Sequence, residues 1–392
     1  MKKCGKKVLA MVLSLGMLWG GGQAAQVPES EQLQQLTGIQ APSAILMSED
    51  GTVLYEKDAD TPREPASVTK VMTMLLVMEA LESGQITLDE MVTTSAYAAS
   101  MGGSQIYLKE NEQMTVDEML KSVAVASAND CAVALAEHLA GTEEAFVARM
   151  NERAAQLGMT NTHFQNCNGL PADGHVTTAR DIAIMSRQLI GHEKIFDYTK
   201  IWTDWVRNGT FGLTNTNKMI NTYQGMTGLK TGYTTGAGYC LSATAERDGL
   251  SLIAVIMGAA DSKSRNADAA ALLNYGFAGY QAVTITADQP IMPVKVLLGK
   301  QEYVLCQLEE RPPLVLKKEL VSTLEKELVM APSLSAPVKK GARAGLLTIH
   351  SQGEEIARIP VVTAEKVAKK SPAGLFLELF TVCSMEREEG RM

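Results

Sequence analysis

Between residues 43 and 276 the apolar pattern changes twice, from short runs around a turn to helical spacing and back, and this order narrows the chain to one fold class. Ser43–Lys57 holds two short apolar runs on either side of Glu49-Asp50-Gly51, the pattern of two strands joined by a turn. From Ser67 to Glu82, just after Pro65, apolar residues recur at helical spacing, and further amphipathic helices are predicted within 115–157 and 178–191. Gly238–Ala245 and Leu250–Gly258 then read as an antiparallel pair across Glu246-Arg247-Asp248-Gly249, and a last helix is predicted over 263–276. Strands, then helices, then strands and a helix predict one α+β domain, assigned to 25–280.

The texture changes near residue 280. From 284 to 365 short apolar segments (Met292–Leu297, Tyr303–Gln307, Leu314–Leu316, Leu346–His350, Ile356–Val361) are punctuated by Pro and Gly, which predicts a small all-β domain. The remainder, 366–392, begins with Lys366, Lys369 and Lys370. Leu375, Phe376, Leu379, Phe380 and Cys383 then fall on one helical face. That run is too short to span a bilayer, which takes about 20 helical residues. Two places suit such a face: the interface of an anionic membrane, or the protein's own surface. The membrane is the expectation.

The opposite end reads as an address. Lys2, Lys3, Lys6 and Lys7 precede an apolar run, Val8–Trp19, and Gly22-Gln23-Ala24 fits a small-x-small cleavage site. Residues 1–24 are therefore expected to be a removed export signal, with cleavage after Ala24 or Ala25, placing the protein on the outer face of the cytoplasmic membrane or in the wall. Its loss takes the net charge from −8 to −12. An acidic chain without a basic stripe excludes nucleic acid as a partner, since phosphate contacts need clustered Lys and Arg. After cleavage five cysteines remain, at irregular spacings with no C-x-x-C pair, and the five histidines lack metal-ligand spacing. Free buried thiols and no metal or organic cofactor are expected.

Chemistry is concentrated in three short motifs. Ser67-Val68-Thr69-Lys70 puts a hydroxyl and an amine three residues apart, hence on one helical face and within reach of each other. Serine is a weak nucleophile that needs an adjacent base, and lysine serves only when desolvation or a second cation lowers its pKa. Alone the motif is weak, because a chain this long holds about one Ser-x-x-Lys by chance. Ser127-Ala128-Asn129 lies between two helical patterns, where a loop would project both side chains into a cleft. Lys230-Thr231-Gly232 is much rarer, and Gly232 would let a substrate backbone approach closely. Ser-x-x-Lys and Lys-Thr-Gly each occur once, with Ser127-Ala128-Asn129 between them.

Together they resemble the Ser-x-x-Lys, Ser-x-Asn, Lys-Thr-Gly set of penicillin-recognising acyl transferases. Over roughly 40–280 the chain is similar to the low-molecular-mass penicillin-binding proteins that are D-alanyl-D-alanine carboxypeptidases. The likeness extends to Pro65–Thr73, Gly102-Gly103-Ser104-Gln105, Asn129-Asp130, Phe164 through Leu170 with His175, Thr178–Asp181, Gly228–Thr234 and Ala237–Leu241. The β-rich part, with Ala336-Pro337-Val338, resembles their second domain, and the amphipathic tail resembles their membrane anchor. This implies an antiparallel sheet with helices on both faces plus a helical subdomain, followed by the small all-β domain.

The resemblance also implies roles. Ser67 would attack the bond between two terminal D-alanines of a peptidoglycan stem peptide, and β-lactams would acylate the same serine. Lys70 would take its proton, Ser127 would relay a proton to the departing D-alanine, and Asn129 would hold the substrate amide. Lys230 and Thr231 would engage the terminal carboxylate, with Lys230 also helping to keep Lys70 neutral. The N–H groups of Ser67 and Tyr233 would form the oxyanion hole. Two positions depart from the pattern: Tyr233 stands where some relatives have His, and Asn215-Thr216-Asn217-Lys218 where some have Arg. Three alternatives remain: a wall endopeptidase, a serine β-lactamase, and an inactive wall-binding homologue. The lactamase is disfavoured because Gly158–His163 offers no deacylating Glu. His175, Arg180 and Asp181 read as structural, Cys131 and Cys240 as core; Trp202 and Trp205 suit either a groove or the core.

Overall fold

The computed structural model describes Leu36 and residues 38–376. The expected export signal, 1–24, and the tail from Leu377 onward lie outside the described residues. Two compact units are formed, one by 38–291 with 308–324 and the other by 292–307 with 325–376.

In the first unit β1 (Ser43–Ser48) and β2 (Val53–Lys57) form the expected pair. Helices follow: α1 (Lys70–Glu82), α2 (Val116–Ala126), α3 (Asn129–Ala140), α4 (Glu143–Gln156) and α5 (Ala179–Ile190). The chain returns to the sheet with β3 (Met226–Thr234), β4 (Gly238–Arg247) and β5 (Leu250–Ala259), then adds α6 (Ser262–Gly279). The five strands lie in the order β2-β1-β5-β4-β3, antiparallel throughout.

Side-chain alternation divides the core. Ile45, Met47, Val255 and Met257 point to one face, against α1 and α5, while Ala44, Leu46, Ala254 and Ile256 point to the other, against α6. Both faces are thus covered, as the resemblance implies. Helix α1 is apolar all round because it is buried all round, packed against α2, α3, α4 and α5. Each of its fully buried Val, Leu and Met side chains contributes on the order of 1.5–3 kcal/mol. Side-chain caps set the starts of its neighbours: Thr115 on α2, Thr142 on α4, Thr178 on α5, and an Asp261/Ser264 capping box on α6.

Several differences from the sequence reading have local causes. The helix expected from Ser67 begins as a 3-10 turn, Ala66–Thr69, and becomes α-helical only at Lys70. Strand β3, which carries Lys-Thr-Gly, has no alternating pattern because it is buried on both sides through Gly232. The segment predicted at Leu314–Leu316 does form a strand, Leu314–Lys317, but it pairs with Tyr280–Val283 in the first unit.

The second unit has a three-stranded sheet with Val294–Leu297 between Tyr303–Val304 and Ser333–Ser335. Its other sheet is dominated by the long hairpin Arg343–Ser351 and Glu354–Thr363. Ser333–Ser335 and Leu324–Met330 went unpredicted, the latter because its outward-facing charges mask a half-buried alternation. Among the described residues no helix is long and apolar enough to cross a membrane.

Candidate active site

The three motifs, up to 163 positions apart in sequence (67 to 230), are brought together by the fold: Lys70 bonds Ser67 and Asn129, and Gly232 lies against the Ser67 turn. The Ser67 turn is held tightly from behind: Thr69 Oγ1 donates to Ala66 O (2.8 Å) and sits 2.8 Å from His175 Nε2. The Gln165 N–H donates to His175 Nδ1 at 2.9 Å, which fixes the ring as the Nε2–H tautomer donating to Thr69. Burial lowers the His175 pKa to about 4, so the ring is neutral and acts as a strut, in keeping with its structural reading. Gly169 closes the other side; a Cβ there would fall 1.9 Å from Ala66 O.

Lys70 is fully buried. Its Nζ donates to Ser67 Oγ (3.0 Å), Asn129 Oδ1 (2.5 Å) and Asn168 O (2.6 Å). All three partners are neutral, so no hydrogen-bonded counter-charge offsets the cost of burying an ammonium. Burial accordingly lowers its pKa to about 7, against an opposing pull from Cys167 and Asp130. The sequence reading gave Lys230 a share in this; the dominant cause is burial. Once deprotonated, the amine keeps two N–H groups for Asn129 Oδ1 and Asn168 O, and its lone pair faces the Ser67 hydroxyl at 3.0 Å, which makes it a competent general base.

Ser127 ends α2 in the left-handed conformation (φ 64°), and Asn129 opens α3. Asn129 ties two walls together: Nδ2 donates to Gly102 O (2.7 Å), its N–H donates to Ser104 O (2.7 Å), and Oδ1 accepts from Lys70. The adjacent Asp130 carboxylate accepts the N–H groups of Ile106 and Leu108, fixing the rest of that loop. Ser127 Oγ is buried yet makes no hydrogen bond, leaving a hydroxyl available to an incoming group.

On β3, Lys230 is fully buried, with its Nζ donating to Thr231 O at 2.9 Å. Burial lowers its pKa well below the usual value, and Lys70 and Arg265 push it further down. Thr231 Oγ1 donates to Thr216 Oγ1 (2.7 Å), in the stretch where some relatives carry Arg. Asn215 and Asn217 brace that stretch through bonds to Ile201 O (2.8 Å) and Gly228 O (3.2 Å). Tyr233 is 56% exposed and lies against Tyr239, with ring centroids 4.3 Å apart.

Gly232 has a structural reason beyond the one its sequence suggested. A Cβ there would lie 3.0 Å from both Pro65 O and Ser67 N, so the glycine admits the serine turn itself against β3. Gly232→Ala is therefore expected to displace that turn and to lower kcat/KM by up to about 10²-fold, the loss that a misplacement of about 1 Å among reacting groups can cause. Steady-state kinetics beside a thermal melt separate this from unfolding; an unchanged kcat/KM would contradict the packing argument.

Three polar residues were missed. Asn168 touches Lys70 through a backbone carbonyl, which no side-chain pattern reveals. Thr216 came forward only as part of a departure from the family. Arg265, buried in α6, gave no signal because its effect is one of potential on Lys230. Cys131, Cys167 and Cys240 are free and buried, and Cys306 is free and half-buried. Arg180 pairs with Glu56 and Asp60, and Asp181 accepts from Thr162 and the Asn161 N–H, both structural tasks. Among the described residues no His, Cys, Asp or Glu cluster is arranged to hold a metal.

Comparison with known proteins agrees with this architecture. Residues 29–261 match the family profile described as D-alanyl-D-alanine carboxypeptidase, and 280–369 match that of the penicillin-binding protein 5 C-terminal domain. The chain is 44% identical to D-alanyl-D-alanine carboxypeptidase DacF of Bacillus subtilis, over 93% of this chain and 95% of that one. It is 34% identical to DacC of Escherichia coli over 86% and 87% of the two chains. Penicillin-binding protein 5 of Haemophilus influenzae superposes with a TM-score of 0.75 at 29% identity, covering 85% of this chain and 99% of that one. With the fold, the three converging motifs and these matches in agreement, the chain belongs to the D-alanyl-D-alanine carboxypeptidase family of serine-type penicillin-binding proteins.

Proposed function

We propose that the protein removes the terminal D-alanine from peptidoglycan stem peptides through an acyl-enzyme on Ser67. The observation that carries this reading is the 3.0 Å bond between Ser67 Oγ and a Lys70 amine whose pKa is lowered to about 7. Lys70 accepts the serine proton as Oγ bonds to the penultimate D-alanine carbonyl carbon. The N–H groups of Ser67 and Tyr233 receive the developing oxyanion, an arrangement typically worth about 10²–10³ in rate per donor. As the C–N bond breaks, Ser127 passes a proton to the leaving amine, while Asn129 holds the substrate amide. Water then cleaves the ester and the serine regains its proton.

Lys230, Thr231 and Gly232 form the wall against which the substrate's carboxylate end lies. Lys230 gives up its charge readily when the site is empty, and an entering carboxylate would restore it. Arg265 adds positive potential, and Thr216 orients the Thr231 hydroxyl. A peptide ending in D-Ala-D-Ala-amide is expected to be cleaved about 10²-fold less efficiently than the free acid, since a charge-assisted contact is lost. Equal kcat/KM for the two would overturn the carboxylate assignment.

β-Lactams would acylate Ser67 in the same way. The segment facing Lys70 is Cys167-Asn168-Gly169, without a carboxylate, and the nearby Glu143 is engaged by Tyr97 and the Cys167 N–H. That supports a long-lived penicillin adduct over lactamase turnover. Residues 1–24 support export, and the basic amphipathic segment 366–392 supports attachment to the outer face of the membrane. D-alanine release from a peptide ending Lys-D-Ala-D-Ala tests the reading. Cleavage only of cross-linked dimers would favour the endopeptidase alternative.

A further inference from the structure

The second unit carries an apolar surface that its own core does not use. Val294 and Val296 point inward and are buried with Val304, so the alternation turns Lys295 and Leu297 outward, with Tyr303 opposite Lys295 on the paired strand. Across this one hairpin Leu297 (44%), Leu298 (49%), Tyr303 (52%) and Leu305 (60%) are all exposed. Single exposed leucines are ordinary, but four large apolar side chains within nine residues form a patch.

The position of the patch points to its occupant. Gly299 bridges Lys369 in antiparallel fashion, the Lys370 N–H donates to Leu298 O (2.9 Å), and the Lys300 N–H donates to Ala368 O (2.8 Å). The chain therefore leaves the hairpin tip directly into the basic amphipathic segment, and its last described residue, Phe376, is 70% exposed. Within 294–305 and 365–376, Lys295, Lys300, Lys366, Lys369 and Lys370 stand against only Glu302 and Glu365. Exposed apolar tips ringed by lysines suit the interface of an anionic bilayer, where leucine enters the headgroup boundary and lysine meets lipid phosphate.

We propose that the hairpin 294–305 is a second membrane-contact element, docking on anionic phospholipid beside the tail. It builds on the membrane reading of 366–392 and adds that the tail does not act alone. Two weak signals presented side by side would bind where either one is marginal.

The test is flotation of the exported form, beginning at Gln26, with phosphatidylglycerol/phosphatidylcholine vesicles and with phosphatidylcholine alone. Leu297→Glu/Leu305→Glu should lower the partition coefficient at least tenfold, and Lys300→Glu roughly fivefold. Phe376→Glu/Phe380→Glu serves as the tail variant. A Tyr303→Trp reporter should be quenched by brominated lipid, which a merely structural hairpin would not show. Hairpin variants that bind like the parent, with loss confined to the tail variant, would overturn the proposal and leave the tail reading intact. Loss confined to the hairpin variants would do the reverse. A parent that does not float overturns both. Self-association abolished by the same substitutions without lipid would assign the face to a second copy instead, again overturning it.

Discussion

Replacing Lys70 by Met is expected to lower kcat/KM for D-alanine release, and the rate of penicillin acylation, by about 10³–10⁴-fold. The side chain is close in length, but the base is gone, and Asn129 Oδ1 and Asn168 O lose their donor. The pH dependence separates chemistry from architecture. With a pKa of about 7, Lys70 is increasingly protonated as pH falls, so acylation in the parent should drop about tenfold per unit below that value and level off above it. The Met variant should lose that limb. Stability has its own sign: an unfolded lysine titrates near 10.5 and the folded one near 7, so between those values the unfolded chain binds more protons. Lys70 thus makes the fold gain stability as pH rises from about 7 toward 10.5, and holds it at its lowest below 7. The substitution should flatten this slope. A Met variant that keeps the acylation limb near pH 7 would remove Lys70 from the base role.

Ser67→Ala is expected to have the larger effect, a loss on the order of 10⁵-fold or more in kcat, because no other side chain takes over covalent attack once a nucleophile is removed. Peptide binding should survive, since Asn129, Lys230 and Thr231 keep their bonds. The fold should be nearly unchanged, because the half-buried hydroxyl makes a single side-chain contact, with Lys70. Kinetics beside equilibrium binding of an uncleaved peptide would check both parts. Residual turnover within 10²-fold of the parent would mean that Ser67 is not the attacking group.

What the sequence revealed depended on how each residue earns its place. Ser67 and Lys70 were legible because their spacing is local, and β1, β2, β4 and β5 because short apolar runs flank the turns Glu49-Asp50-Gly51 and Glu246-Arg247-Asp248-Gly249. Gly232 was seen, yet its reason was hidden, since the backbone it accommodates lies 165 positions away in sequence, at Ser67. Lys230 likewise belonged to a recognisable motif, while its coupling to Arg265 depends on α6 packing behind the sheet. Asn168 contributes a carbonyl oxygen, and any residue type supplies one. The 3-10 start at Ala66 was not legible from Pro65 and helical spacing alone, because Gly169 and His175 impose it from another part of the chain.

The most direct measurement is intact-mass and peptide-map analysis of the protein after penicillin, alongside D-alanine release from a peptide ending Lys-D-Ala-D-Ala, in the parent and in Ser67→Ala. The account predicts one slowly clearing adduct on the peptide containing Ser67, one D-alanine released per peptide cleaved, and neither in the variant. Rapid penicillin turnover without D-alanine, or an adduct on a residue other than Ser67, would contradict it.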